Sequence, residues 1–147
     1  MLAYSIDFRS EYTVTHTVTT VGISVEIARL LNYSAEDKQR IYYGALLHDV
    51  GKIAIPLEIL EYPGKLSPQA MKIMKTHVQI SEDILRGAVA DDVCEIAIRH
   101  HEKLDGLGYH RGLSAGELTT PSHRAKVKDE IKVEMRRSEH GLRGDRF

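Results

Sequence analysis

Five histidines and one aspartate recur along the chain as His16, His48–Asp49, His77 and His100–His101. Imidazole nitrogen binds iron, manganese, zinc or nickel, and one carboxylate set between two groups of histidines suits a bridged pair of such ions. Two ions roughly 3.5–4 Å apart can clamp a phosphate and share a hydroxide that attacks phosphorus in line. Any one histidine alone is more often a surface or satisfied core residue, and His110, His123 and His140 are read that way. The ordered set, falling at or near the ends of expected helices, points instead to a metal site. Neighbours on a helix point about 100° apart, so His48–Asp49, and again His100–His101, can serve two adjacent ions.

The elements that must position these residues are helical by their apolar spacing. Val14, Val18, Val21, Val25 and Ala28 step by four and three, which predicts one core-facing stripe on a helix from about Tyr12 to Leu31. Ser34, with Asp37 three residues on, caps a second helix running through Ile41, Ala45 and His48 and stopping near Gly51. GKIAIP reads as a loop, followed by a short turn and the breaker Pro63–Gly64. Ser67–Pro68 starts a helix through Met71, Met74, His77 and Val78, bent before Ile84–Leu85 and ended by Arg86–Gly87. Asp91 or Asp92 is expected to cap the next helix, which carries Val93, Ala97 and His100. Residues 105–116 are too rich in glycine for regular helix, and no strand is expected anywhere. The fold class predicted is all-α, a bundle of five to seven helices.

A length of 147 residues, 42% hydrophobic and 28% charged, fits one globular domain with a sizeable core. No apolar run approaches the roughly 18 residues that span a bilayer. The opening MLAYSIDFRSEYT lacks the basic flank and apolar stretch of a secretory signal. The lone Cys94 excludes an internal disulfide and fits a cytoplasmic location, and its apolar helical setting marks it as small core filling. A net charge of −1 argues neither for nor against nucleic acid, although it divides into +3 from Arg124 onward and −4 before it. Such a mixed basic run reads as a solvated face or tail.

The stretch HDVGK at residues 48–52 resembles the HD superfamily of metal-dependent phosphohydrolases. HHEKLDGLGY at residues 100–109 narrows the resemblance to the HD-GYP group, phosphodiesterases that open the bacterial second messenger cyclic di-GMP. It extends from about Ala3 to Asp129 and includes YT-x-x-H at Tyr12–His16 and GLSAGEL after the glycine loop. The resemblance implies an HD-domain helical bundle in which His16, His48, Asp49, His77, His100 and His101 ligate two divalent ions, with Asp49 bridging them. Iron or manganese is expected first, with zinc and nickel as alternatives. Members with a third metal use a glutamate four residues before the first histidine; Tyr12 stands there, which favours two. Asp49 and Lys52 are the expected catalytic residues. Lys52, a compact cation, would contact a substrate phosphate, beside Gly108 and Tyr109. Glu102 and Asp105 would orient ligands and loop, and Gly106 and Gly108 would permit positive φ.

Three departures from the family pattern matter. The usual proline after GY is His110, so the loop loses a fixed φ and is expected to be looser. The last aspartate ligand of the family aligns with Asp129, among Arg124, Lys126 and Lys128, whose burial would be costly. The following EIKVEMRRSEHGLRGDRF does not resemble the family's further helices, and the first helix starts already under way. The expected organisation is a phosphohydrolase domain over residues 1–129 and an atypical charged segment over 130–147. The implied function is metal-dependent hydrolysis of cyclic di-GMP to the linear dinucleotide, and then GMP, by a metal-bridged hydroxide. A generic HD nucleotide phosphohydrolase, and a catalytically degenerate module that binds nucleotide or a partner protein, stay open as alternatives. The expected partners are a cyclic dinucleotide, a second copy in a homodimer, and sensory or receiver domains of a longer protein. Long nucleic acid and a membrane are not expected.

Overall fold

The structure, a computed structural model, describes residues 11–118, with side chains from His16 onward. Asp129, His123, His140, the Tyr12 side chain, the shortening of the first helix, the boundary at 129/130 and the charged C-terminal segment lie outside the described residues. Within them the chain is helical: α1 (Glu11–Leu30), α2 (Ala35–Leu47), a 3₁₀ turn (Val50–Ala54), α3 (Leu57–Leu60), α4 (Pro68–Lys75), α5 (His77–Leu85), α6 (Asp91–Ile98) and α7 (Ala115–Leu118). Two isolated bridges, Arg86 with Val89 and Asp105 with Ser114, are the only β pairing among the described residues. The architecture is all-α, as expected.

Local chemistry sets the helix starts. Ser34 Oγ accepts the Asp37 N–H at 3.0 Å, and Ser67 Oγ accepts the Ala70 N–H at 3.2 Å with Pro68 opening α4. Neither Asp91 nor Asp92 caps α6. Ala90 holds that position, while Asp92 pairs with Arg40 Nε at 2.6 Å and ties α6 to α2. The expected bend before Ile84 is instead a break at Thr76, one residue before His77. GKIAIP contributes to a 3₁₀ turn rather than an open loop.

α1 packs on α2, α2 on α6, and the 3₁₀ turn on α5. The main core gathers Val50, Val78, Leu85, Cys94, Ala97 and Ile98, with Tyr109 packed against it. Cys94 is core filling, as its setting suggested. α1 departs from expectation. Its buried face is Thr17, Thr20, Ser24 and Ala28, whereas Val18 is 66% exposed. The valines stand one position out of phase with it, about 100° around the helix, with Val21 and Val25 half-buried, and the expected and observed faces meet at Ala28. Small side chains on the buried face fit the direct packing of α1 on α2.

Candidate metal centre

Five of the six ligand candidates sit where helices begin or end. His77 is the first residue of α5. His48 and Asp49 follow the last turn of α2, and His100–His101 follow the end of α6 instead of riding on it. His16 projects from within α1. At a helix C-terminus the last carbonyls have no intrahelical partner, and the imidazoles use them. Nδ1 of His48 lies 2.7 Å from the Ala45 carbonyl oxygen, Nδ1 of His77 2.7 Å from that of Met74, and Nδ1 of His100 2.7 Å from that of Ala97. A carbonyl only accepts, so each Nδ1 carries the proton and each Nε2 presents a lone pair.

Those lone pairs converge. His77 Nε2 and His100 Nε2 are 3.3 Å apart with no proton to share between them. His77 Nε2 lies 3.3 Å from Asp49 Oδ1, and His100 Nε2 3.7 Å from the same oxygen. Asp49 Oδ1 is buried without a hydrogen-bond partner, which a neutral polar network would not tolerate cheaply. Lone pairs facing one another across an orphaned carboxylate oxygen are the arrangement a divalent cation completes. Two donor groups come within ligand reach: His77, His100 and His101, and His16, His48 and Asp49. The donor set therefore fits divalent metal ions.

The electrostatics agree. Burial holds His77 below the ordinary imidazole range, His100 well below it, and His101 at about 3, so all three are neutral donors. Burial also pulls His48 down, but the Asp49 carboxylate outweighs it and the net shift is upward. Burial pushes Asp49 up; the neighbouring His48 and Lys52 outweigh that and hold it well below the ordinary carboxylate range. Lys52 Nζ donates to Asp49 Oδ2 at 2.6 Å, and its half-buried stem leaves the ammonium at the edge of the cluster.

The other expected residues take distinct places. Glu102 is fully buried and accepts the Arg111 N–H at 2.6 Å and the Leu113 N–H at 2.8 Å, closing the glycine loop. Asp105 Oδ1 accepts the Leu107 N–H at 2.9 Å within that loop. Gly106 has φ +73, whereas Gly108 does not need a positive φ. Its Cβ would meet Glu102 Cα at 2.5 Å, so close backbone approach requires the glycine there. Tyr109 stacks on His101 with centroids 4.4 Å apart, and its N–H donates to the His101 carbonyl at 3.1 Å. His110 does not leave the loop loose: its Nε2 lies 2.8 Å from Glu82 Oε2.

Sequence reasoning missed Ser81 and Glu82. Ser81 is fully buried, and its Oγ accepts the Gly51 N–H at 2.8 Å, docking the turn after Asp49 onto α5. A Cβ on Gly51 would lie 2.6 Å from the Ser81 amide nitrogen. The i+4 spacing of Ser81 from His77 was the available signal.

Comparison with known proteins shows the family of the chain. The sequence matches the HD domain family over residues 1–124. A 3'3'-cGAMP-specific phosphodiesterase 1 of Vibrio cholerae is 33% identical over 88% of this chain and 30% of its own length. A cyclic di-GMP phosphodiesterase of Thermotoga maritima is 39% identical over 76% of this chain and 31% of its own. The cyclic di-GMP phosphodiesterase response regulator RpfG of Xanthomonas campestris pv. campestris is 38% identical over 87% and 35%. The chain thus spans about a third of the length of these curated relatives.

Proposed function

The chain belongs to the HD domain family, of the HD-GYP type, and from that premise we propose that it is a metal-dependent phosphodiesterase that opens a cyclic dinucleotide, cyclic di-GMP first. The carrying observation is the convergence of protonless Nε2 atoms on the orphaned Asp49 Oδ1. His16, His48 and Asp49 would hold one ion and His77, His100 and His101 the other, with Asp129, outside the described residues, as the family's remaining donor. Iron or manganese suits this nitrogen-rich set with a shared carboxylate. When bound, such a pair neutralises charge on the phosphate oxygens and supplies hydroxide near neutral pH.

The chain's own residues do the rest. The backbone carbonyls of residues 45, 74 and 97 hold the imidazoles in the tautomer that offers Nε2. Asp49 stays ionised, a charged carboxylate facing both donor groups. Lys52, released from Asp49 Oδ2, contacts a non-bridging phosphate oxygen on the substrate. Gly108 and Tyr109, packed beside His101, border the same substrate. The names of the relatives divide between cyclic di-GMP and 3'3'-cGAMP, so both belong in the test. Protein loaded with two equivalents of iron or manganese is incubated with each dinucleotide, and with mononucleotides and a model diester, and the products are resolved chromatographically. Linear dinucleotide from a cyclic substrate supports the reading. No turnover of either cyclic substrate with both ions demonstrably bound overturns it, and hydrolysis without preference for them marks a generic phosphohydrolase. Assembly with sensory or receiver domains, as the response-regulator name of one relative suggests for that protein, and homodimerisation are part of the same proposal. So is a cytoplasmic setting; among the described residues no helix is long and apolar enough to cross a membrane.

A further inference from the structure

One imidazole of the second donor group is held differently from the rest. His48, His77 and His100 are each fixed by a carbonyl three residues earlier, whereas His101 makes no hydrogen bond through its ring among the described residues. Its ring packs against those of His100 at 4.1 Å and His77 at 5.2 Å, and its one flat stacking partner is Tyr109, at 4.4 Å and 20°. The Lys75 ammonium lies over the same tyrosine ring, 4.8 Å from its centroid. Since His77 and His100 are fixed by their own carbonyls, the remaining face of His101 rests on Tyr109, and through it on what holds residues 109–111.

That grip comes from α5. Glu82 Oε2 lies 2.8 Å from His110 Nε2, and Glu82 Oε1 accepts from the guanidinium groups of Arg111 and Arg86. Arg86 Nη2 also reaches Glu95 Oε1 at 3.1 Å, and Arg111 Nη1 lies 3.5 Å from that oxygen. The Glu82 side chain is only 15% exposed and that of His110 17%, so the contact is partly shielded from water and salt. The cluster joins α5, which begins with His77, to α6, which leads into His100–His101, and to the loop that carries Tyr109.

We propose that Glu82 is a positioning residue of the metal centre: by gripping His110 and Arg111 it holds Tyr109 flat against His101 and so aims the His101 imidazole. The proposal rests on the metal-site reading above only through its metal readout. Groups that orient a ligand are worth about 10–100-fold in metal affinity.

The test uses the whole chain with Co²⁺ as probe, its affinity read from the visible absorption of the bound ion, and amide hydrogen exchange of residues 106–113 measured on metal-free protein. Glu82→Gln keeps the shape and removes the charge. It is expected to weaken Co²⁺ binding about tenfold and to speed exchange in the loop, with α1 and α2 unchanged. His110→Pro added to Glu82→Gln fixes φ next to Tyr109 and is expected to restore most of both losses, which a mere folding role for Glu82 would not allow. Unchanged Co²⁺ affinity and loop exchange in Glu82→Gln overturn the proposal, as does a double variant no better than the single. Should Glu82→Gln not fold, the pair His110→Gln and Arg111→Ala removes the grip from the loop side, and the same two readouts decide. A wild-type chain that binds no Co²⁺ overturns the functional reading instead, and the clamp is then judged on loop exchange alone.

Discussion

Asp49 carries more of the site than any other residue. One oxygen answers Lys52 and His48, and the other faces His77 and His100 with no proton between. Asp49→Asn keeps the volume and removes the shared charge. Partners that only orient a ligand are worth about 10–100-fold in affinity, so on the proposed two-ion reading loss of the Asp49 carboxylate is expected to exceed that, measured by competition titration with a chelator. Glu82 offers a second test at this scale. Burial alone would raise its pKa, but Arg86, His110 and Arg111 bring it down to about 2 from 4.5. A carboxylate depressed on folding adds stability that is fully present above its unfolded value and fades as pH falls toward the folded one. The stability gap between wild type and Glu82→Gln in urea is therefore expected to be constant above about 4.5 and to close on acidification toward 2; a gap that persisted at the acid end would contradict the ion cluster. The donors themselves were legible as letters, because histidine and aspartate in a fixed order have few alternative explanations. Glu82 was not, since a glutamate five residues past a ligand looks like any solvated charge until the loop comes back to meet it.

The elements were read with uneven success, and the reasons are physical. Caps at Ser34 and Ser67 are local hydrogen bonds, so their spacing announces them. The break at Thr76 and the end of α6 before His100 have no glycine or proline to announce them, so local propensity does not encode either. On α1, apolar periodicity chose the valine stripe, yet tight packing on α2 selected the small face of Thr17, Thr20, Ser24 and Ala28. The two faces make opposite predictions. Val18→Asn is expected to change unfolding free energy by no more than about 0.5 kcal/mol. Ser24→Leu, at a fully buried position that belongs to the observed face alone, is expected to cost about 1–3 kcal/mol through overpacking. Urea titration of both variants reads the difference directly, and a reversed order would restore the valine face as the core.

At the scale of the whole molecule, the donors come from four separate stretches of chain and each group of three draws on two of them, so ions held by these groups bind only the folded state. Ligand at a hundred times its dissociation constant stabilises the native state by about 2.7 kcal/mol. Chelation is therefore expected to lower the melting temperature by several degrees, and added manganese to restore it, as followed by thermal scanning; a melting point indifferent to metal would mean that the donors do not act together. The carbonyl anchors of His48, His77 and His100 bear on how such a chain diverges. Ala45, Met74 and Ala97 supply main-chain oxygen, which every amino acid possesses. Lineages can therefore exchange these three side chains without disturbing the imidazoles, provided the helix persists and the size fits. What inheritance must guard is spacing: a single inserted or deleted residue between an anchor and its histidine would turn the ring away, whereas a substitution that keeps the helix and the volume would leave it in place.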